Sequence, residues 1–240
     1  MIGEPAREDL GAPPDEVLFY RRAHLEAQRV PWTPQPWAVV FSTRPVAYRL
    51  LRDHAEATGG IARAFLHSLA DGDPVELFLA TMAWGFGNTG YGPSRVAKML
   101  ATPDVEQKIA RIVEVVQVQG AGLGWWALLE GHKIQSLGMA FGTKLLTFAG
   151  YSVSEPPRPL VLDARVRAGL QRLAGRTVPP AGQTVWRRHY LAYLELAETW
   201  GSWPGWDQGP EVVEFSLFGG PRPDPEDSAR TDDDAQDGET

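Results

Sequence analysis

The sequence of 240 residues contains no cysteine. This absence excludes disulfide bonds, a thiolate nucleophile, cysteine-ligated zinc and an iron–sulfur cluster. The sequence also lacks a basic N-terminal region followed by an apolar stretch. It lacks as well an uninterrupted apolar run of the roughly 18 residues that a membrane span requires. We therefore expect a soluble protein of a reducing cytoplasm, without membrane contact.

The acidic charge is concentrated at one end of the chain. The formal net charge is −7 at pH 7, and residues 221–240 hold eight acidic side chains against two arginines. Residues 133–190 instead hold nine Lys or Arg against two acidic residues, a balance of +7. Such a basic region is typical of a surface that collects phosphate contacts. A solvated helical face with a few ion pairs would give the same pattern, so charge alone leaves both interpretations open.

Apolar residues recur with helical periodicity between two polar ends. Residues 1–13 are rich in Pro and Gly and predict a loose lead-in, whereas 219–240 predict a disordered acidic tail. Hydrophobic residues form 43% of the chain, so residues 14–218 can build a globular core. The predicted fold class is all-α, with many short helices separated by Gly or Pro. The predicted helices are 14–28, 44–57, 59–69, 74–84, 93–101, 104–119, 123–135, 142–150, 163–174, 183–200 and 209–217.

A helical hairpin is predicted over about 123–150. Its first helix ends near 135, the chain turns through small residues, and Phe141-Gly142-Thr143-Lys144 begins the second helix. The N–H groups at such a helix start have no partner within the helix and can bind a phosphate. An ordinary αα-hairpin with a solvated Lys144 is the alternative interpretation.

A second motif, Leu160-Val161-Leu162-Asp163, delivers an aspartate to the start of the predicted helix 163–174. Helix capping explains this residue on its own. A carboxylate held by backbone N–H groups is also rigid and ionised, as a stabiliser of positive charge must be. Asp163 follows Lys144 by nineteen residues. Together, an amine that attacks and a carboxylate that stabilises a cation suit chemistry at the C1′ atom of a sugar.

These motifs resemble those of the helix–hairpin–helix DNA glycosylases, most closely the 8-oxoguanine DNA glycosylase branch. In that family a hairpin lysine is the nucleophile, and an aspartate beginning the next helix follows at the same spacing. The resemblance implies two helical subdomains flanking a DNA-binding cleft. It implies catalytic roles for Lys144 and Asp163 and DNA contact by Gly142 and Thr143. Arg165, on the helix that Asp163 begins, is a further candidate for phosphate contact.

Two more segments resemble parts of the same family. The segment from Trp200 to Gln208 is similar to one that supplies a base-contacting glutamine, which implies that Gln208 reads the base. Phe215 would then be the aromatic that stacks on the base, at a position shifted by about three residues. The segment Trp84-Gly85-Phe86-Gly87-Asn88 is similar to a loop whose side chain fills the gap left by a flipped base. Asn88 is the candidate for that role, and Trp84 either stacks on the base or lies in the core.

The resemblance covers residues 75–218, and residues 1–74 match no part of the family pattern. One departure lies in the hairpin, where Ala140 stands at the position of a glycine. If the turn requires a positive φ there, alanine would strain it and alter the contact with the DNA backbone.

The resemblance implies a monomeric DNA glycosylase that flips a damaged or modified base out of double-stranded DNA and excises it. No metal or other cofactor is implied, and we expect a cytoplasmic, nucleoid-associated bacterial protein. The substrate would be oxidised guanine, or an enlarged modified base removed in defence against phage. Lys144 would either add AP-lyase activity or form no Schiff base, in which case the enzyme would be monofunctional and Asp163 would assist water. The alternatives are a non-catalytic helix–hairpin–helix DNA-binding protein and a helical protein-interaction domain.

Overall fold

Helices form nearly all of the regular structure, which confirms the predicted all-α class. The computed structural model describes residues 10–152, 155–175, 178–180 and 182–219. Most of the predicted lead-in and tail therefore lies outside the described residues. The helices are α1 (Asp15–Leu18), α2 (Arg22–Ala27), α3 (Pro45–Thr58), α4 (Arg63–His67), α5 (Pro74–Phe86), α6 (Gly92–Leu100), α7 (Val105–Trp126), α8 (Met139–Gly150), α9 (Ala164–Leu173), α10 (Arg187–Gly201) and α11 (Pro210–Phe218). Two short strands, β1 (Arg29–Val30) and β2 (Ile61–Ala62), pair antiparallel.

Capping residues explain why the helix bounds follow the sequence closely. Helix α5 begins at Pro74, and the carboxylate of Asp73 accepts hydrogen bonds from the N–H groups of Val75 and Glu76. Helix α3 begins at a proline and ends at Gly59, whose φ of 76° suits a left-handed C-terminal cap. Prolines supply a preset φ at a helix start, and glycines tolerate the positive φ that follows a helix end.

Several of the predicted helix bounds are wrong. The predicted helix 14–28 is two short helices, α1 and α2, because Arg21 between them is extended (φ −129°, ψ 162°). The predicted helix 59–69 is shortened to α4, since residues 61–62 form β2, and the predicted helix 183–200 begins only at Arg187. The predicted helices 104–119 and 123–135 are joined without a loop, because α7 continues through a break at Gly120 (φ 78°, ψ −178°). A π-helical turn over Ala127–Gly131 then extends α7 towards the hairpin turn. The second hairpin helix, α8, begins at Met139 rather than at 142.

The buried side chains form two hydrophobic clusters, which define two helical subdomains. The first cluster contains residues from β1 to α8, such as Phe78 and Leu145. The second combines the N-terminal segment, including Val17, with α9, α10 and α11. Helix α7 packs into both, because its first half contributes to the first cluster and Trp125 to the second. The chain therefore begins in the second subdomain, builds the first, and returns to complete the second.

Helix α7 and its π-helical extension also meet the length and composition criteria for a membrane-spanning helix over Val105–Gly131. These criteria average the apolar character over the helix, so they are met although the sequence has no uninterrupted apolar run of that length. The core helix of a globular protein meets the same criteria. Both halves of α7 have protein partners here, since Ile109 and Trp125 are buried in different clusters. The packing of two subdomains on one helix accounts for its apolar composition.

A glycine sets the distance between α9 and α11 in the second subdomain. A Cβ atom at Gly169 would lie 2.1 Å from the carbonyl oxygen of Leu217. The obstacle is backbone, which cannot rotate away as a side chain can, so the two helices would have to separate. Because α9 begins at Asp163 and α11 ends at Phe218, their separation would displace both ends.

We predict that Gly169→Ala destabilises the protein by about 1–3 kcal/mol, the usual range for forcing extra atoms into a packed interior. The measurement is chemical denaturation followed by circular dichroism. Ala168→Ser is the matched control, because it adds an atom at the neighbouring, exposed position of α9 and should change stability little. Equal stability of the two variants would contradict the tight contact between the helices.

Candidate functional site

Lys144 and Asp163 form an ion pair between the two subdomains. The Nζ atom of Lys144 lies 2.9 Å from Oδ2 of Asp163. Only 9% of the lysine side chain and 16% of the aspartate side chain are exposed. An exposed pair of this kind would contribute little to stability, whereas a nearly buried one is held by weaker solvent screening. The structure thus brings together the two residues that the sequence predicts as catalytic.

Lys144 is fixed by its position on α8. Its Nζ also lies 3.4 Å from the carbonyl oxygen of Ala140, one turn earlier. The ammonium lies 5.6 Å from the ring centroid of Phe141 and 5.9 Å from that of Trp84. Aromatic faces attract a cation at such distances. The amine is therefore held at one place, unlike the solvated lysine of the alternative interpretation.

Asp163 is the N-cap of α9, as predicted. Its Oδ1 atom accepts hydrogen bonds from the N–H groups of Arg165 and Val166, at 3.0 and 3.1 Å. Oδ2 remains for Lys144. One carboxylate therefore caps a helix with one oxygen and holds the amine with the other. Capping and the proposed chemistry require the same geometry.

Three hydroxyl groups hold the extended segment 160–162 that leads to Asp163. The Tyr190 hydroxyl donates to the carbonyl oxygen of Leu160, and the Tyr193 hydroxyl donates to that of Val161. The N–H of Leu162 donates to Oγ1 of Thr143 at 2.9 Å. All three hydroxyl-bearing residues are buried. Since the segment pairs with no strand, these side chains satisfy backbone groups that burial would otherwise leave without partners.

The surroundings of Asp163 favour its ionised form. Burial by itself would raise the pKa of the carboxyl, but the Lys144 ammonium and the N–H groups of Val166 and Arg165 outweigh it. The pKa of Asp163 therefore lies below its ordinary value. A carboxylate with a low pKa is a weak base, so this group is better suited to stabilising a neighbouring cation than to removing a proton.

The ion pair lies on the wall of a cavity of about 370 Å³. Ligand sites in proteins commonly have volumes of this order, from about 300 to 1,000 Å³. Aromatic and apolar groups make up much of the wall, and the polar groups are few. The lining residues are Gln28, Val30, Pro31, Trp84, Gly85, Phe86, Gly87, Asn88, Lys144, Asp163 and Phe218.

Trp84 and Asn88 line this cavity, at the end of α5 and in the loop that follows. Trp84 is 6% exposed and packs edge to face on Phe148, so it belongs to the core and to the cavity wall at once. The Oδ1 atom of Asn88 accepts a hydrogen bond from the hydroxyl of Thr33. The structure places both residues beside the ion pair, and their predicted roles towards DNA stay predictions.

The base-contacting residues predicted near the C-terminus do not lie on the cavity. Phe215 is 1% exposed and packs edge to face against Tyr20 in the second hydrophobic cluster. The side chain of Gln208 is occupied elsewhere: its oxygen accepts from the N–H of Arg22, and its amide nitrogen donates to the carbonyl of Trp206. Phe218, one turn further along α11, lines the cavity instead.

The predicted DNA contacts in the hairpin also need correction. Because α8 begins at Met139, the N–H of Gly142 already donates to the carbonyl of Gly138. Gly142 is a packing residue, since a Cβ atom there would lie 2.4 Å from Leu128. Thr143 is fully buried and holds Leu162. The N–H groups of residues 139–141 make no hydrogen bond within the described part of the chain, so the predicted contact with phosphate would fall on them rather than on Gly142.

The earlier start of α8 also removes the backbone strain that was considered for Ala140. Ala140 is the second residue of α8 and has no positive φ, whereas Ser136 in the preceding turn has a φ of 65°. Arg165 remains exposed near the site, with its guanidinium 3.9 Å from the ring centroid of Phe218 and one N–H donated to the carbonyl of Gly219. Its predicted contact with phosphate stays a prediction.

Sequence reasoning missed the contribution of the N-terminal segment. Gln28, Val30 and Pro31 reach the cavity because β1 pairs with β2 just before α4. A two-residue strand has no periodicity that could be detected, and the residues it pairs with, Ile61 and Ala62, lie far along the chain. No local signal in the sequence could have revealed this side of the site.

A lysine on a helical hairpin, paired with a capping aspartate at a cavity between two helical subdomains, is the arrangement of a helix–hairpin–helix DNA glycosylase. A family model described as "Putative 8-oxoguanine DNA glycosylase OGG-like protein" matches residues 23–218. The chain belongs to this family, whose substrate is DNA. The match also includes much of the N-terminal segment that the motifs left unplaced. Neither a search of curated proteins nor a search of solved structures found a match.

We predict that Lys144→Met raises the pKa of Asp163, because the neighbouring ammonium is lost. The measurement is an NMR titration of the carboxyl carbon in both proteins. The low pKa of Asp163 in the folded wild type stabilises that state at neutral pH. This stabilisation is lost as the pH falls through the folded-state pKa. Lys108→Met, which removes a half-buried charge on α7 that does not line the cavity, should leave the titration of Asp163 unchanged.

Proposed function

We propose that this protein is a DNA glycosylase that takes a damaged or modified base into the cavity and breaks its N-glycosidic bond. The observation that carries the proposal is the Lys144–Asp163 pair on the wall of a 370 Å³ cavity between the subdomains. A non-catalytic DNA-binding protein would need neither a nearly buried amine nor a carboxylate aimed at it. Membership of a glycosylase family supports the same conclusion.

DNA binding is supported by the hairpin and by the basic region. The unpartnered N–H groups of residues 139–141 stand at the positive end of the α8 dipole, where a phosphate binds favourably. Lys133 lies in the preceding turn and Arg165 is exposed beside the cavity. Each of these two charges would contact a phosphate, so binding should weaken with added salt. Taking the base out of the stack costs a few kcal/mol, and a damaged or mispaired base reduces this cost.

The reaction follows from the positions of the amine and the carboxylate. The Lys144 ammonium gives one proton to water, and the neutral amine attacks C1′ of the flipped nucleotide. The bond between C1′ and the base breaks, and the base leaves with the electron pair and is then protonated. Positive charge that develops on the sugar is stabilised by the ionised Asp163. Opening of the sugar ring gives an imine with Lys144, and loss of a C2′ proton then expels the 3′ phosphate and cuts the strand.

The substrate is proposed from the family description and from the shape of the cavity. The family description names 8-oxoguanine, which makes oxidised guanine the first base to test. The aromatic wall formed by Trp84, Phe86 and Phe218 would hold a planar base by stacking. A larger modified base, of the kind that would suit a role against phage, is the second arm of the same test. Duplexes that each carry one such base, compared with an undamaged duplex, distinguish the two substrates.

We expect borohydride to trap wild-type protein covalently on a duplex with an abasic site, and Lys144→Met to abolish the trapping. Asp163→Asn should lower base excision by about 10²–10⁴-fold, the range typical for removing a positioned catalytic group. Gel electrophoresis of the protein–DNA adduct and of the cleaved strand measures both. Lys108→Met is the matched control and should behave as the wild type does. Full excision by Asp163→Asn would contradict the mechanism, and absence of trapping would remove the lyase step alone.

Phe218→Ala should lower the affinity for a duplex with an excisable base by about 10- to 100-fold, because stacking on one aromatic side chain contributes about 1–3 kcal/mol per base. The measurement is fluorescence anisotropy with labelled duplexes. Trp186→Ala is the control, since that side chain is 55% exposed and does not line the cavity. Phe215→Ala is unsuitable because it would open the core. If Phe218→Ala binds as tightly as the wild type, Phe218 is not the stacking residue.

A further inference from the structure

A buried ion pair lies directly behind the cavity. Arg63, at the start of α4, is 5% exposed and donates two hydrogen bonds to Glu214 on α11, at 2.7 and 2.9 Å. Glu214 is fully buried, and Glu211 lies 3.5 Å from the same guanidinium. A forked pair of this kind fixes the orientation as well as the position of the guanidinium. Arg63 is therefore a rigid group at the boundary of the two subdomains.

A third donor of Arg63 determines how Gln28 is oriented. Its Nε atom donates to Oε1 of Gln28 at 2.9 Å. The oxygen and nitrogen of a glutamine amide are hard to tell apart by shape, and their assignment rests on the hydrogen-bond partners. Arginine has donors only, so the amide atom that faces it must be the oxygen. The NH₂ group of Gln28 consequently points away from Arg63.

The NH₂ group of Gln28 is the part of that side chain left for a ligand. Gln28 is half-buried and lines the cavity, and its NH₂ group has no partner among the described residues. The oxygen, the only acceptor of this side chain, is held by Arg63. The same guanidinium lies 5.2 Å from the ring centroid of Trp84, another part of the cavity wall. Arg63 thus anchors one flat apolar surface and one hydrogen-bond donor of the same cavity.

We propose that Gln28 is a specificity-determining residue that reads the flipped base strictly as a hydrogen-bond donor, with Arg63 as its positioning residue. This inference rests on the proposed function. It assigns the substrate class: a base that presents an acceptor, a carbonyl oxygen or an unprotonated ring nitrogen, on the edge facing Gln28. An amino group or a ring N–H at that place would set donor against donor. Arg63 prevents the amide from turning to relieve the conflict, so such a base is rejected.

The test compares affinities for pairs of bases that differ by a carbonyl or an amino group at one ring position. The pairs are hypoxanthine and adenine, uracil and cytosine, and 8-oxoguanine and 8-aminoguanine. Each base is placed in the same duplex as a 2′-fluoro nucleotide, which resists excision, so that anisotropy measures binding alone. We expect the wild type to bind the carbonyl member of at least one pair more tightly, by about tenfold or more. One additional hydrogen bond changes the affinity by about this factor.

Gln28→Glu is the decisive variant. It keeps the length of the side chain and the contact with Arg63 but replaces the donor by an acceptor, so the preference should fall by about tenfold or more. Gln28→Met, which has neither donor nor acceptor, should also lose the preference and serves if the carboxylate impairs folding, as thermal melting would show. Gln208→Glu makes the same chemical change away from the cavity and should keep the wild-type preference.

Two results overturn the inference: a wild type with no carbonyl preference in any pair, or a Gln28→Glu variant that retains it. Failure of the proposed function has a different signature, namely no excision and no borohydride trapping by the wild type on ordinary 2′-deoxy duplexes.

The Arg63→Lys variant tests whether Arg63 positions Gln28. A lysine keeps the buried positive charge but cannot make the two parallel hydrogen bonds to Glu214. The preference for the carbonyl base should therefore weaken more than the affinity for undamaged duplex. An unchanged preference in Arg63→Lys would remove Arg63 from the proposal.

Discussion

The contact on which the site depends is the ion pair between Lys144 and Asp163, because it joins the two subdomains at the atoms proposed to react. Lys144 belongs to α8 of the first subdomain, and Asp163 begins α9 of the second. Relative motion of the subdomains would separate the amine from the carboxylate. The hydroxyl of Thr143, which holds Leu162, fastens the same two elements one residue earlier on each side. The adjacent residues Thr143 and Lys144 therefore bind the adjacent residues Leu162 and Asp163.

A second ion pair, between Arg63 and Glu214, lies behind the cavity and joins α4 to α11. Replacing such a buried pair by apolar residues often costs no stability, so stability alone does not account for it. Its geometric effect is clearer, since Arg63 touches Gln28, Trp84 and Glu214 together. The cavity wall thus holds both the residues proposed to react, Lys144 and Asp163, and the residue proposed to recognise the base, Gln28.

The sequence predicted the fold class, most helix bounds and the Lys144–Asp163 pair, because each depends on local signals. Asp73, Pro74 and Asp163 act within a few residues of their own helix starts. Of the aromatic and amide residues predicted for the site, Trp84 and Asn88 line the cavity, whereas Phe215 and Gln208 do not. Phe218 lines the cavity and Phe215 is buried in the core, three positions earlier on α11. Which of the two aromatic side chains faces the cavity depends on how α11 packs, and the sequence does not show this. Gln28 depends on a strand pairing and on a buried arginine, neither of which leaves a pattern in the sequence.

The path of the chain through the two subdomains has a consequence for biosynthesis. Arg63 needs Glu214, which follows it by 151 residues, and the N-terminal segment needs α11 to cover Val17 and Tyr20. Contacts between such distant residues form late, since a long loop must close first. A growing chain on the ribosome would hold Lys144 well before the cavity around it exists. The cavity around Lys144 is therefore complete only after α11 has left the ribosome.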